Sequence, residues 1–169
     1  MKEILVEISL LSLKFGETEF ASSIQRQNNW LGFEPASNQQ ISDAEKRLNI
    51  TLPADYKDFL LITNGFTAPT TVDPSFTKIE DIDYLSNVDS FLIEVWCSHE
   101  GLWDVSESLK RSILVGGKDE EQYLLLIPPI NETDKWRYWT FSSWAPGEHE
   151  FEDLNAYFQY VLEFIREQN

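Results

Sequence analysis

The sequence predicts an α+β fold, with N-terminal helices packed on a mainly antiparallel β-sheet and a helix at the C-terminus. Two capped helical segments lie within residues 37–65, three β-rich runs lie between residues 113 and 141, and a helical stripe ends the chain. The chain has 169 residues, 42% of them hydrophobic, and contains no repeat or linker-like segment. This length and composition predict one domain spanning residues 1–169.

The first 30 residues give an ambiguous pattern. The apolar run at residues 4–13 fits a strand as well as a helix, so its periodicity leaves both open. Glu3 precedes this run and Glu7 interrupts it, whereas a secretory signal needs a basic start and a clean apolar stretch. We therefore expect a buried first element of the domain. Residues 19–30 predict a polar helix.

Residues 37–65 predict two short helices, because their ends carry specific capping signals. Ser37 and Gln40 have the spacing of a capping box, and Asn49 suits a left-handed C-terminal cap. Pro53 opens the second helix at a position where its missing N–H costs nothing. The predicted buried residues are Ile41, Ala44 and Leu48 on the first helix and Tyr56, Phe59, Leu60 and Thr63 on the second.

The middle of the chain is less regular. Residues 66–76 predict a loop, and residues 79–85 a short strand or extended arm. Residues 91–96 fit a helix or a strand, and residues 106–110 fit a single helical turn.

The second half predicts the sheet. Residues 113–115, 123–127 and 136–141 are β-rich runs bounded by turn residues, and residues 116–122 form a loose hairpin between the first two. The closing helix is predicted from apolar residues at alternating three- and four-residue spacing, namely Phe151, Leu154, Phe158, Val161 and Ile165.

Several short motifs along the chain resemble the signature of the SUKH superfamily. This superfamily includes fungal cell-wall-assembly regulators and bacterial immunity proteins that neutralise polymorphic toxins. The residues that carry the resemblance are Leu52-Pro53, Asp55-Tyr56, Phe59-Leu60, Asn64-Gly65, Gly116-Gly117, the run at 123–127 and Trp144-Ala145-Pro146-Gly147. The resemblance covers residues 31–165 and leaves residues 1–30 outside. It departs from the usual pattern at Asn49, where a glycine is customary. It implies the same α+β layout.

The charge is strongly negative and concentrated in two stretches. The net charge is −16; residues 73–107 hold nine acidic residues against Lys78 alone, and residues 119–153 hold nine against Lys135 and Arg137. Such a surface repels nucleic acid and anionic membranes and attracts a basic protein. An acidic surface that only maintains solubility is the alternative.

The sequence predicts no cofactor and no metal site, because neither the Cys and His spacing nor Asp81 and Asp83 match a ligand set. Cys97 is expected to be buried and His99 exposed. Gly116-Gly117-Lys118 predicts a β-turn rather than a phosphate loop. A single cysteine and the lack of a long apolar run are typical of a cytoplasmic protein.

Acidic and aromatic residues alternate in the loop at 116–122 and in a predicted turn at 142–152. Aromatic side chains anchor interfaces and carboxylates pair with basic residues of a partner, although each segment is also consistent with an ordinary solvated turn. The predicted partner-binding residues are Asp119, Glu120, Glu121, Tyr123, Trp144, Glu148, Glu150 and Glu152.

The resemblance and the charge together predict a non-enzymatic immunity protein that neutralises a toxin with a basic surface, such as a nuclease, through its acidic surface. A regulatory or scaffold module that binds cellular proteins is one alternative. A carboxylate-dependent hydrolase, with Glu148 and Glu150 as acid and base, is another.

Overall fold

The computed structural model describes residues 1–16, 18, 20–98, 103–131, 133–142 and 148–168. Within these residues the chain forms eight α-helices and five β-strands. In chain order they are α1 Lys2–Phe15, α2 Ser23–Asn28, α3 Asn38–Leu48, α4 Ala54–Leu60, β1 Asp83–Tyr84, α5 Leu85–Val88, α6 Ser90–Cys97, α7 Trp103–Arg111, β2 Ile113–Gly116, β3 Gln122–Ile127, β4 Arg137–Ser142, β5 Glu148–Phe151 and α8 Leu154–Gln168.

The five strands form one antiparallel sheet in sequential order, β1-β2-β3-β4-β5. Successive residues of a strand face opposite sides, so the sheet carries two cores. Leu124 and Leu126 belong to a large core with α1, α3, α4 and α8. Leu125 and Ile127 belong to a smaller core with α5, α6 and α7. The predicted α+β class with a C-terminal helix is confirmed, and the helical layer on the second face is an addition.

Aromatic rings fill the large core. Phe158 of α8 is fully buried, and its ring centroid lies 5.7 Å from Phe59, 6.0 Å from Phe66 and 5.2 Å from Phe76. Phe66 and Phe76 come from the loop at residues 66–76, where isolated β-bridges join Phe66 to Phe76 and Phe76 to Gly116. The loop is therefore tied to the end of β2.

The capping predictions for α3 are confirmed, whereas Pro53 precedes the first residue of α4 and is not part of the helix. The Ser37 side chain accepts a hydrogen bond from the Gln40 backbone, and Gln40 in turn caps the Ser37 N–H. Asn49 adopts the left-handed conformation, with φ 51°, and α4 begins directly after Pro53. The second helix ends at Leu60, so Thr63 lies beyond it, although Thr63 is buried as expected.

Several local expectations needed the tertiary structure to decide them. The run at residues 4–13 is helical and lies in α1, and residues 91–96 lie in α6. The predicted polar helix at 19–30 is confined to Ser23–Asn28, and the single turn at 106–110 is part of the longer α7.

The predicted turn at residues 142–152 is wrong in its second half, because Glu148–Phe151 forms strand β5. Glu-His-Glu has no β-strand propensity of its own, and this segment becomes a strand by pairing with β4. Phe151 consequently ends a strand and is not part of α8, which begins at Leu154.

Candidate partner-binding surface

The β2–β3 turn projects acidic side chains from one end of the sheet, and its shape depends on glycine. Gly117 has a φ of 78°, and a Cβ there would lie 1.9 Å from the carbonyl oxygen of Gln122. Asp119 also adopts a left-handed conformation, with φ 64°. This tight path leaves Lys118, Asp119 and Glu121 exposed to solvent.

Glu120 has a structural role in the same turn. Its Oε2 accepts a hydrogen bond of 2.9 Å from the backbone N–H of Ser75, and the N–H of Gly117 donates to the carbonyl of Ser75 at 2.9 Å. These two bonds fasten the turn to the loop at residues 66–76. Glu120 is half-buried as a result, and the turn is anchored to that loop at two points.

Tyr123 joins the turn to α6. Its hydroxyl donates to Oδ2 of Asp89 at 2.9 Å, while Oδ1 of Asp89 accepts from the backbone N–H of Leu92 and caps α6. Burial and the hydrogen bond to the Asp89 carboxylate raise the pKa of Tyr123 to about 12. Tyr123 therefore stays a neutral donor at physiological pH. We call Asp89, Asp119, Glu120, Glu121 and Tyr123 together the acidic end.

Phe91, which sequence reasoning missed, stands beside this surface. It lies two residues after Asp89 in the first turn of α6, and 73% of its surface is exposed. Its neighbours Leu92 and Ile93 are buried in the smaller core. The sequence signal for Phe91 was its apolar side chain between Ser90 and Leu92. An exposed phenyl ring next to carboxylates is suited to anchoring a protein partner.

Two of the remaining predicted residues, Glu148 and Glu150, lie in β5, and Glu152 directly follows this strand. Glu148 pairs with Phe141, which pairs with Tyr123, so the strand register places Glu148 at the same end of the sheet. Glu152 follows Phe151, whose partner is Tyr138, and therefore lies toward the opposite end. Trp144 lies outside the described residues.

The Glu150 carboxylate already accepts hydrogen bonds from within the protein. Its Oε2 accepts from Nη1 of Arg137 at 2.8 Å and from Nε1 of Trp139 at 2.7 Å. The ion pair with Arg137 offsets the negative charge of the carboxylate and orients the Arg137 guanidinium. This guanidinium also lies over the Trp139 ring. The arrangement favours a structural role for Glu150 over acid–base chemistry, which needs a carboxyl group free to exchange protons.

The other candidates for chemistry are placed as follows. Cys97 is exposed, which corrects the expectation of a buried thiol, and His99 lies outside the described residues. Oδ1 of Asp83 accepts from the Tyr84 N–H and from Asn87. Within the described part of the chain, no group of three or more His, Cys, Asp or Glu residues could hold a metal ion, and no helix could cross a membrane.

The signature residues of the first half hold the frame together. Asn64 Oδ1 accepts from the N–H of Ile79 at 2.8 Å, and its Nδ2 donates to Glu80 at 2.9 Å. Oδ2 of Asp55 accepts from the N–H of Leu154 at 3.0 Å, at the first residue of α8. These contacts join distant segments of the chain, so the signature encodes the fold.

Comparison with known proteins gives two findings. The family described as SMI1 / KNR4 family (SUKH-1) matches residues 35–167. A protein of Bacillus subtilis (strain 168), described as "Uncharacterized protein YnaB", is 59% identical over 32 residues. That match spans 19% of this chain and 22% of the Bacillus protein.

Proposed function

The chain belongs to the SMI1 / KNR4 family (SUKH-1), and on that basis we propose that it is a non-enzymatic immunity protein that blocks a basic toxin. The family includes toxin immunity proteins. The match agrees with the SUKH resemblance of the sequence and extends over most of the chain. The further steps, from family to partner and binding surface, rest on the charge and geometry of the acidic end.

The observation that carries the proposal is the exposure of carboxylates on an anchored turn at the acidic end. Asp119 and Glu121 are exposed on a turn that Gly117 shapes and Glu120 fastens to the neighbouring loop. An anchored turn loses little conformational entropy on binding, so more of the electrostatic attraction is available as affinity. Phe91 adds an apolar anchor at the margin of the same surface.

The proposed mechanism is stoichiometric occlusion. A nuclease active site carries Lys and Arg residues that bind phosphates, and carboxylates can occupy the same subsites. The net charge of −16 steers the two proteins together, and the aromatic contact slows their dissociation. The inhibitor needs no turnover in this mechanism. We propose the cytoplasm as its place of action, because a single free cysteine is typical of a reducing compartment.

The test is co-expression with the toxin encoded beside the gene of this protein. Wild-type protein is expected to rescue growth, and Asp119→Asn combined with Glu121→Gln is expected to weaken toxin binding by at least about tenfold. Asp58→Asn combined with Glu163→Gln is the matched control. It removes the same charge from exposed positions on α4 and α8, which pack on the other face of the sheet from α6.

Two outcomes would count against the proposal. Survival no better than with an empty vector would remove the immunity function. Equal weakening by both double variants would show that only net charge matters and would exclude the acidic end as the binding surface. Binding is also expected to weaken as salt concentration rises, because exposed charges are screened.

A further inference from the structure

A second surface has the opposite chemistry. A groove of about 670 Å³ runs beside α7 and includes Trp103, Ser108, Arg111, Ile130 and Arg137 among its lining residues. We call the groove lined by these five residues the arginine groove. Its volume is in the range of sites that hold small ligands or peptide ends. It shares no residue with the acidic end.

Arg111 lines this groove, and its guanidinium is only partly hydrogen-bonded among the described residues. Its Nε donates to the carbonyl of Pro128 at 3.1 Å, Nη1 to the carbonyl of Glu107 at 3.1 Å, and Nη2 to Ser108 Oγ at 3.2 Å. A guanidinium has five N–H groups, so two of them have no acceptor within the part of the chain that the structure describes. No described carboxylate lies within ion-pair distance of Arg111.

Arg137 brings a second guanidinium to the same place. Its Nη2 also reaches Ser108 Oγ, at 3.5 Å, while Nη1 is paired with Glu150. Two cations thus meet here, and one carboxylate among the described residues, that of Glu150, is directly paired with them. Burial and the charge of Arg137 lower the pKa of Arg111, while the charges of Glu107 and Asp134 act in the opposite direction without cancelling this effect. A bound anion would relieve this repulsion, and the planar forks of two arginines match the geometry of a carboxylate.

The sides of the groove are apolar and open to solvent. Trp103 is 71% exposed and Ile130 is 70% exposed, although single exposed apolar residues are common on protein surfaces. Here two of them line the groove that contains the arginine pair. A ligand that fits therefore combines an anionic group with an apolar body.

The overall charge restricts the ligand further. A net charge of −16 repels a polyanion at long range, and Asp104, Glu107 and Asp134 lie around the two arginines. A ligand with a single negative charge is repelled less than a polyanion. We propose that the arginine groove binds a carboxylate carried on an apolar group, and specifically the C-terminus of a peptide whose last residue is apolar.

The test compares two peptides that differ only in the proposed contact. N-acetyl-Ala-Leu-Leu with a free carboxylate and the same peptide as its C-terminal amide are titrated into the ¹⁵N-labelled full-length protein. The free acid is expected to bind at least tenfold more tightly and to shift the indole signals of Trp103 and Trp139. Arg111→Gln is expected to weaken binding of the free-acid peptide at least tenfold. Lys46 is an exposed cation of α3, and Lys46→Gln is expected to leave this affinity unchanged.

A second variant separates binding from folding, because Arg111 also braces two carbonyl groups. Trp103→Ala alters an exposed side chain. It is expected to weaken binding of the free-acid peptide several-fold without changing the unfolding midpoint. Equal affinity for acid and amide, or equal affinity for inorganic phosphate, would overturn the proposal. Tighter binding of 4-phenylbutyrate than of the peptide would overturn the peptide assignment in favour of a small carboxylic acid.

Discussion

Replacement of Asn64 tests how the family signature stabilises the fold. Asn64 is buried and makes two bonds from one amide: Oδ1 accepts from the Ile79 N–H at 2.8 Å, and Nδ2 donates to Glu80 at 2.9 Å. Ile79 is fully buried, so Asn64→Ala leaves its N–H without this partner. A buried unpaired donor costs about 1–3 kcal/mol, whereas the half-exposed bond to Glu80 adds little.

This cost corresponds to a lower melting temperature. For a domain of 150–250 residues, 1 kcal/mol shifts the midpoint by about 2–4 °C, which gives a loss of about 2–12 °C for Asn64→Ala. Urea unfolding followed by circular dichroism measures the free energy directly, and the m-value should stay constant because the surface exposed on unfolding is unchanged. Gln39→Ala on α3 is the control, since Gln39 is an exposed amide that bonds only to Asp43 among the described residues.

Asn64→Asp separates the two bonds. Aspartate keeps the acceptor for Ile79 but places a carboxylate against Glu80. The like charge raises the pKa of the introduced carboxyl, so its contribution is favourable below about pH 4 and is lost as the pH rises through the elevated pKa. The variant should therefore be destabilised at pH 7 and recover in acid. Adding Glu80→Gln should restore stability at pH 7.

The reasoning fails if Asn64→Ala is as stable as the Gln39→Ala control. It also fails if Asn64→Asp is destabilised equally at pH 4 and pH 7, because the charge of Glu80 would then play no part.

Three other substitutions have defined outcomes. Ser37→Ala removes the α3 cap and should cost about 1 kcal/mol in urea unfolding, whereas Ser37→Thr should retain most of it. Burial raises the pKa of Tyr56, so the folded state favours its neutral phenol, and stability should fall as the pH rises above about 10. Tyr56→Phe should reduce that alkaline loss in thermal melts; an unchanged slope would contradict it. Burial raises the pKa of Asp73 despite the hydrogen bond from Thr70, so Asp73→Asn should raise the melting temperature at pH 7 and lose this advantage below about pH 4.

The elements that the sequence predicts well are those with local signals. The caps at Ser37, Asn49 and Pro53 involve neighbours within a few residues, and α3 and α4 form where they indicate. Strands β2, β3 and β4 were also predicted, because their apolar runs are bounded by turn residues. Local chemistry thus accounts for the fold class and for the frame of the first half.

The elements that were missed depend on contacts between distant residues. Strand β5 is polar and exists through its pairing with β4. The engagement of Glu150 by Arg137 and Trp139 requires the strand register, and the fastening of Glu120 to Ser75 requires a 45-residue loop to close. Of the predicted surface, Asp119, Glu121 and Tyr123 lie together, since they share one short turn and the strand that follows it.

Helix α1 lies outside the segment that matches the family, yet it packs against α8 at the far end of the chain. Leu5 and Ile8 are fully buried there, and Ser9 Oγ accepts a hydrogen bond from the N–H of Leu31. A shortened chain that starts at the family boundary would uncover the apolar face of α8. Such a fragment should aggregate during purification, so functional experiments on this protein need residues 1–34 retained.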